Sequence, residues 1–133
     1  MALGEFTKAL KDTDEIEITV IGRSSGRKIS LPVWFVQEGK TLYLLPVKGS
    51  DSEWYKNVLK TRTIELAAKG ASWKAKATPI TDAARVRRIA DRFRAKYGAG
   101  EVKKYYSKFD VAVKIPLTPA KLTAIPTVRK ESR

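Results

Sequence analysis

The sequence predicts an α+β protein, mainly β: an antiparallel barrel that carries helices. Three observations carry that class. Short runs alternate apolar and polar residues, turn residues separate those runs, and two stretches of helical period interrupt them. A chain of 133 residues is one domain by length, spanning 1–133, and large enough to bury a core without staples.

Residues 3 to 11 are read as a short helix, with Leu3, Phe6 and Leu10 at helical spacing. In "EIEITVIG", Ile16, Ile18 and Val20 alternate with Glu15, Glu17 and Thr19, the period of a half-buried strand. "RSSGRK" breaks it, and "ISLPVWFVQ" resumes as a second strand with Ile29, Leu31, Val33 and Phe35 on one face. Pro32 cannot donate to a ladder, which places this strand at an edge or a bulge. "EGK" turns the chain into a third strand, "TLYLLPV". From about Ser50 to Lys60 a helix follows, with Ser50 or Ser52 as its N-cap and Asp51 and Glu53 at the positive end of its dipole.

"TRTIELAAK" and "SWKAKATPI" are the fourth and fifth strands around Gly70. Thr81 and Asp82 open the clearest helix, whose apolar stripe is Val86, Ile89, Ala90, Phe93 and Tyr97. Its arginines, 85, 87, 88, 92 and 94, spread around the helix instead of forming one row, which favours a solvated face over a nucleic-acid reader. "EVKKYYSKF" adds a further helical turn or two, and "DVAVKIPL" and "KLTAIPTV" are read as closing strands before the tail RKESR.

Composition removes much chemistry. The chain has no cysteine and no histidine, so disulfides, thiolate sites, a Ser-His-Asp triad and the usual zinc and iron ligand sets are excluded, and no metal is expected. An enzyme built this way leaves its reaction to a cofactor and supplies binding and orientation. The opening MALGEFTKALKDTDE lacks a long apolar run, which leads us to expect a cytoplasmic protein. The net charge of +13 attracts nucleic acid, anionic lipid surfaces or phosphorylated small molecules without distinguishing among them.

Two breaks stand out, "GRSSGRK" at 22 to 28 and "KGSDSEW" at 48 to 54. Each combines glycine, small hydroxyl residues and a cation beside a strand of the same expected meander. If the second and third strands pair along their length, both breaks lie at one sheet end. That end would gather Arg23, Ser24, Ser25, Arg27, Lys28, Lys48 and the amides around Ser50 into a phosphate site. Singly, each cation is an ordinary surface charge; together, with glycine loops, they favour anion binding. Trp54 alone is more often core than platform. Asn57, the sole asparagine, is equally a ligand contact or a cross-link of the loop. Tyr97 belongs to the helix stripe, whereas Tyr105 and Tyr106 are either pocket lining and weak proton-donor candidates or packing rings.

"TVIGRSSGRKISLPVWFV" followed by "GKTLYLLPVKGSDSEWYKNVL" resembles the deazaflavin-dependent nitroreductases, within the split β-barrel, pyridoxamine phosphate oxidase-like superfamily of flavin-binding proteins. The positions that carry the resemblance are Gly22, Arg23, Ser25, Gly26 and Pro32, then Lys48, Gly49, Trp54, Tyr55 and Asn57. It implies an FMN-binding-like split β-barrel that forms a homodimer and holds 8-hydroxy-5-deazaflavin (coenzyme F-420). It further implies hydride transfer to a nitro, quinone or enone acceptor. In that reading Arg23, Arg27, Lys28 and Lys48 hold the anionic tail, the amides of Gly49 and Ser50 help, and Trp34 and Trp54 flank the ring. The family often has lysine where Ser24 stands and arginine where Ile29 stands; Arg27, two residues earlier on the same strand face, is the expected replacement. Ser50 replaces a second glycine. FMN is the alternative cofactor, and a basic cofactor- or nucleic-acid-binding protein without catalysis is the alternative of another class.

Gln37 and Asn57 are the only side-chain amides and methionine occurs once, a depletion of thermolabile residues that fits a thermophilic source. Thermal unfolding is therefore expected above the ordinary mesophilic range, about 45–65 °C; a midpoint inside that range refutes the assignment.

Overall fold

The structure, a computed structural model, describes residues 2–118; the strand expected in "KLTAIPTV" and the tail RKESR lie outside them. The chain runs α1 (Ala2–Leu10), β1 (Ile16–Ile21), β2 (Lys28–Val33), β3 (Val36–Glu38), β4 (Thr41–Leu44), a 3-10 turn (Gly49–Asp51) and α2 (Glu53–Lys60). It continues through β5 (Thr63–Ala68), β6 (Ala71–Lys76), β7 (Thr78–Ile80), α3 (Ala83–Tyr97), α4 (Ala99–Tyr105) and β8 (Ala112–Pro116). The strands form two antiparallel four-stranded sheets, ordered β2-β1-β5-β6 and β3-β4-β8-β7. This is the split β-barrel architecture, with α3 and α4 outside the second sheet's core face.

Two segments read as single strands each serve both sheets. "ISLPVWFVQ" is β2 and then β3, bent at Trp34 and Phe35, and "SWKAKATPI" is β6 and then β7, bent at Ala77. Closing two sheets around one core requires strands that turn the corner between them. Phe35 and Ala77 are buried at the corners. The alternation of apolar residues runs through both bends, so nothing in the period marks them.

The bends correct one expectation. β2 pairs with β1 alone, Ile18 opposite Leu31 and Ile21 opposite Lys28. Only β3 pairs with β4, Val36 opposite Tyr43. The start of the second strand therefore does not pair with the end of the third, and the two breaks meet instead through Arg23, which bonds Glu53 and Asn57 of α2. Pro32 does sit on an edge strand, as its missing amide requires.

The apolar faces form two clusters. Ile16, Ile18 and Val20 of β1 meet Ile64 and Leu66 of β5, with Phe6 and Leu10 of α1 over them. Val86, Ile89, Ala90 and Phe93 of α3 meet Val36, Tyr43 and Ile80 in the second. α3 begins where Asp82 accepts a hydrogen bond from the Arg85 amide (2.9 Å), an N-cap read correctly from the sequence. Its arginines are largely engaged: Arg88 and Arg92 pair with Glu38, and Arg94 pairs with Asp91 while lying over the Phe109 ring.

A bend in a buried strand leaves backbone groups without ladder partners. At Phe35 they are met from α3. The Phe35 amide donates to the Tyr97 hydroxyl (3.1 Å), which lies 2.8 Å from the Phe35 carbonyl and 2.7 Å from the Asp14 carbonyl. Lys96 Nζ also donates to the Phe35 carbonyl (2.8 Å) and rests on the Phe35 ring. Burial pushes the Tyr97 phenol up to about 12, and it pushes the Lys96 ammonium down.

Tyr97→Phe keeps the ring and strands these groups, so it is expected to cost about 1–3 kcal/mol in denaturant unfolding. The phenol's folded value lies above its unfolded one, so its contribution is complete below pH 10 and is lost as pH rises through about 12. Tyr97→Phe should flatten that alkaline decline.

Candidate functional site

A cleft of about 630 Å³ opens where the β2–β3 bend meets the junction between β4 and α2. Its apolar wall is Leu31, Pro32, Val33, Trp34, Leu45, Val47 and Trp54, and Tyr105 and Tyr106 close it from the end of α4. Glu15, Lys48, Asp51, Ser52, Glu53 and Glu101 supply the polar lining.

The aromatic residues differ in what they offer. Trp34 stacks on Tyr97 at 4.3 Å with the rings 6° from parallel, so one of its faces is already covered. Tyr105 meets it edge-on at 5.7 Å and is 49% exposed, the most open ring of the group. Trp54 is only 7% exposed and belongs to the first core cluster. Tyr106 packs between Phe93 and Phe109, and burial drives its phenol far above the usual tyrosine range. Its proton stays on the oxygen.

The strand-to-helix junction is built from local bonds. The Lys48 amide donates to Ser52 Oγ (2.8 Å), so the residue at the N-cap position of α2 uses its hydroxyl on the preceding turn and not on the helix. Gly49 adopts a φ of +56°, and a Cβ there would run into Asp110 and Lys108. The segment 107–110 straps this turn: the Ser107 amide donates to the Val47 carbonyl (2.9 Å), and Lys108 Nζ lies 3.1 Å from Asp51. Asp110 takes the Ser50 amide (2.9 Å) and the Ser50 hydroxyl. Burial alone would raise the Asp110 carboxyl, but those two bonds and Lys108 hold it below the ordinary range.

The glycine-serine loop is equally self-contained. The Gly22 amide donates to the Arg27 carbonyl (2.8 Å), the Gly26 amide to the Gly22 carbonyl (2.9 Å) and the Arg27 amide to Ser25 Oγ (3.1 Å). Arg23 leaves this loop for α2. Its amide (3.0 Å) and Nη1 (2.9 Å) both donate to Asn57 Oδ1, and Nη2 pairs with Glu53 at 2.7 Å. The guanidinium holds the Glu53 carboxyl below its usual value. Lys60 Nζ closes the bracket on the Arg23 carbonyl (2.9 Å).

Of the residues singled out in the sequence, Pro32, Trp34, Lys48, Trp54, Tyr105 and Tyr106 line the cleft. Arg23 and Asn57 form the bracket beside it. Gly49 and Ser50 face Asp110, and Tyr55 lies in the core. Ser24, Ser25, Gly26, Arg27 and Lys28 are exposed at the end of β2 remote from Pro32. Four strand steps separate Lys28 from Pro32, roughly 13 Å. Sequence reasoning missed Glu15, Glu101 and Asp110. The last acts across 60 residues, which no local pattern reveals. Asp51 and Glu53 were read as helix-dipole acids, and they engage Lys108 and Arg23 instead.

Residues 7–114 match the family described as "Uncharacterized protein conserved in bacteria (DUF2255)". No curated protein matches the chain. Among solved structures, an F-420-H2-dependent reductase (FDR-A) is 19% identical, with a TM-score of 0.60 over 77% of this chain and 93% of that one. HutZ, a haem storage protein of Vibrio cholerae, is 11% identical, with a TM-score of 0.64 over 88% of this chain and 90% of that one. A Listeria innocua protein described as a candidate pyridoxamine 5'-phosphate oxidase is 15% identical, with a TM-score of 0.61 over 86% and 92%. These likenesses establish the fold, one shared by redox enzymes and haem-binding proteins. Among the described residues no helix is long and apolar enough to cross a membrane, and no group of acidic residues is arranged to hold a metal.

Asn57 is nearly buried and is the shared acceptor of two Arg23 donors. Asn57→Ala is expected to lower stability by about 1–3 kcal/mol in chemical denaturation, by stranding the Arg23 amide. A stability loss below the error of that measurement contradicts the bracket.

Proposed function

We propose, from the premise that the chain belongs to the DUF2255 family and folds as a split β-barrel, that it is a deazaflavin- or flavin-dependent oxidoreductase. The cleft would hold the cofactor's ring, and the bound cofactor would exchange a hydride with a small organic acceptor such as a nitro, quinone or enone compound. The observation that carries this reading is the cleft itself, an aromatic-walled space at the Trp34 bend and the Trp54 helix start. Its volume falls within the range that encloses small ligands, roughly 300–1,000 Å³.

The ring fits these residues better than the tail does. Wall residues Leu31, Val33 and Val47 offer apolar contact, and Trp34 and Tyr105 offer ring faces and edges. For a phosphate the cleft presents, among the described residues, one ammonium, that of Lys48. Bound there, the cofactor supplies hydride chemistry that no side chain of this protein can. The chain's share is to orient the ring and to exclude water. Tyr106 keeps its proton and can donate a hydrogen bond from Oη. A proton for the reduced acceptor comes from Tyr105, at the open side, or from water. The same reading makes the protein a cytoplasmic homodimer.

A haem-binding reading finds no support in the composition, which lacks the histidine and cysteine that usually hold the iron. Nucleic-acid binding is disfavoured by α3, where Arg88, Arg92 and Arg94 are already paired with carboxylates.

Purified protein titrated with coenzyme F-420 and separately with FMN, followed by fluorescence or calorimetry, should bind one of them with micromolar or tighter affinity. Trp34→Ala should weaken that binding by about tenfold or more, since base-type stacking on an aromatic is worth about 1–3 kcal/mol. Binding of neither ends the oxidoreductase reading.

A further inference from the structure

A tyrosine hydroxyl or an indole N–H that leaves water on folding usually finds a partner, because a buried donor without one costs free energy. Two such groups in this chain follow the rule. The Tyr97 hydroxyl serves the Phe35 bend, and Trp73 Nε1 donates to the Pro116 carbonyl (3.0 Å). Tyr106 and Trp54 break it. They are 6% and 7% exposed, yet neither Tyr106 Oη nor Trp54 Nε1 has a hydrogen-bond partner among the described residues. Tyr43 and Tyr55 are as buried, but neither lines the cleft, whereas Tyr106 and Trp54 both do.

Packing fixes the Tyr106 ring where it stands. Phe93 meets it edge-on at 6.0 Å, Phe109 stacks on it at 6.2 Å and Trp34 lies tilted against it at 5.9 Å. Burial keeps the proton on its oxygen. Ser52, the other nearly buried polar side chain of the lining, is already engaged, since its hydroxyl accepts from the Lys48 amide. An indole N–H can only donate, so the deep wall offers donors to whatever enters.

We infer that Tyr106 is the specificity-determining residue of the cleft: its hydroxyl donates to a carbonyl oxygen on the edge of a planar ring. The site therefore selects such a ring over a hydrocarbon of the same shape. The inference rests on the ring-binding reading above and names the functional group by which that ring is chosen. An uncharged carbonyl suits this wall, because apolar surroundings penalise a desolvated carboxylate or phosphate far more heavily. A flavin-type ring and a quinone acceptor both carry such an oxygen, and the test separates the two.

Tyr106→Phe keeps the ring and removes only the hydroxyl. The full chain and this variant are titrated with riboflavin, menadione and 2-methylnaphthalene by equilibrium dialysis. Menadione and 2-methylnaphthalene share a skeleton and differ by the quinone carbonyls. The variant should bind riboflavin or menadione about tenfold more weakly, and 2-methylnaphthalene as tightly as the parent does. A loss confined to riboflavin assigns the carbonyl to the cofactor, and one confined to menadione assigns it to the acceptor. No bond within the protein is lost, so the denaturation midpoint of the free variant should equal or exceed the parent's. A lower midpoint overturns the inference, since the hydroxyl would then have a partner inside the fold. Unchanged affinity for both carbonyl ligands, an equal loss for all three, or binding of the hydrocarbon alone also overturns it, and each leaves the ring site standing. If none of the three binds, the ring-site reading itself fails, and the inference falls with it.

Discussion

The Tyr97 hydroxyl is the contact on which the rest of the arrangement depends. A strand that leaves one sheet for the other must break its ladder at the corner, and here it does so at a buried residue, Phe35. Unpaired backbone groups in such a place cost about 1–3 kcal/mol each. Tyr97 meets the Phe35 amide and carbonyl from α3, reaches the Asp14 carbonyl ahead of β1, and stacks its ring on Trp34. One residue thus ties the first sheet's approach, the bend and the long helix together. That stack joins the Tyr105 and Tyr106 rings in orienting Trp34 at the cleft wall.

A second constraint follows from how polar groups are used around the β4–α2 junction. Unpaired amides at a helix start attract anions, and a protein can satisfy them with its own carboxylate as well as with a ligand. This chain does the former at Ser50. The choice has a geometric cost, because Asp110 comes so close that residue 49 must lack a side chain and take a positive φ. Glycine at this position therefore reports on an internal carboxylate as readily as on a ligand's phosphate. The same ambiguity holds for Arg23, whose planar fork divides between Glu53 and Asn57.

Much of the fold was legible because it rests on local periods. The β1 alternation, the Pro32 edge, the Asp82 cap and the α3 stripe each follow from a few neighbouring residues, and each is where the pattern puts it. The Lys69–Gly70 hairpin turn, with both residues at positive φ, was marked by its glycine. The bends at Phe35 and Ala77 were not legible, since a strand keeps its inside-outside alternation while it turns a corner. That omission spread to the site. Assigning Lys28–Val33 to the same sheet as Thr41–Leu44 derived the meeting of the two breaks from strand pairing, whereas the structure joins them through Arg23 on Glu53 and Asn57 of α2. The aromatic half of the cleft could be named from the sequence because tryptophan and tyrosine are few. The acidic half could not, since Glu15 and Glu101 look like any solvated carboxylate until the fold brings them to one mouth.

The two departures from the resembled family's pattern acquire a physical sense in this light. Where that family often carries lysine and arginine, this chain has Ser24 and Ile29. Ser24 is exposed on a loop whose neighbours close on one another. Ile29, 42% exposed, stands against Gly22 so closely that a Cβ on the glycine would lie 3.1 Å from its terminal methyl. Its role at that position is to cover the turn, which a long, hydrated guanidinium would do poorly. Arg27 does not restore the missing charge, because it precedes β2 and belongs to the turn itself. Neither of the two positions touches the aromatic wall, so ring recognition and tail recognition are separable properties of the fold.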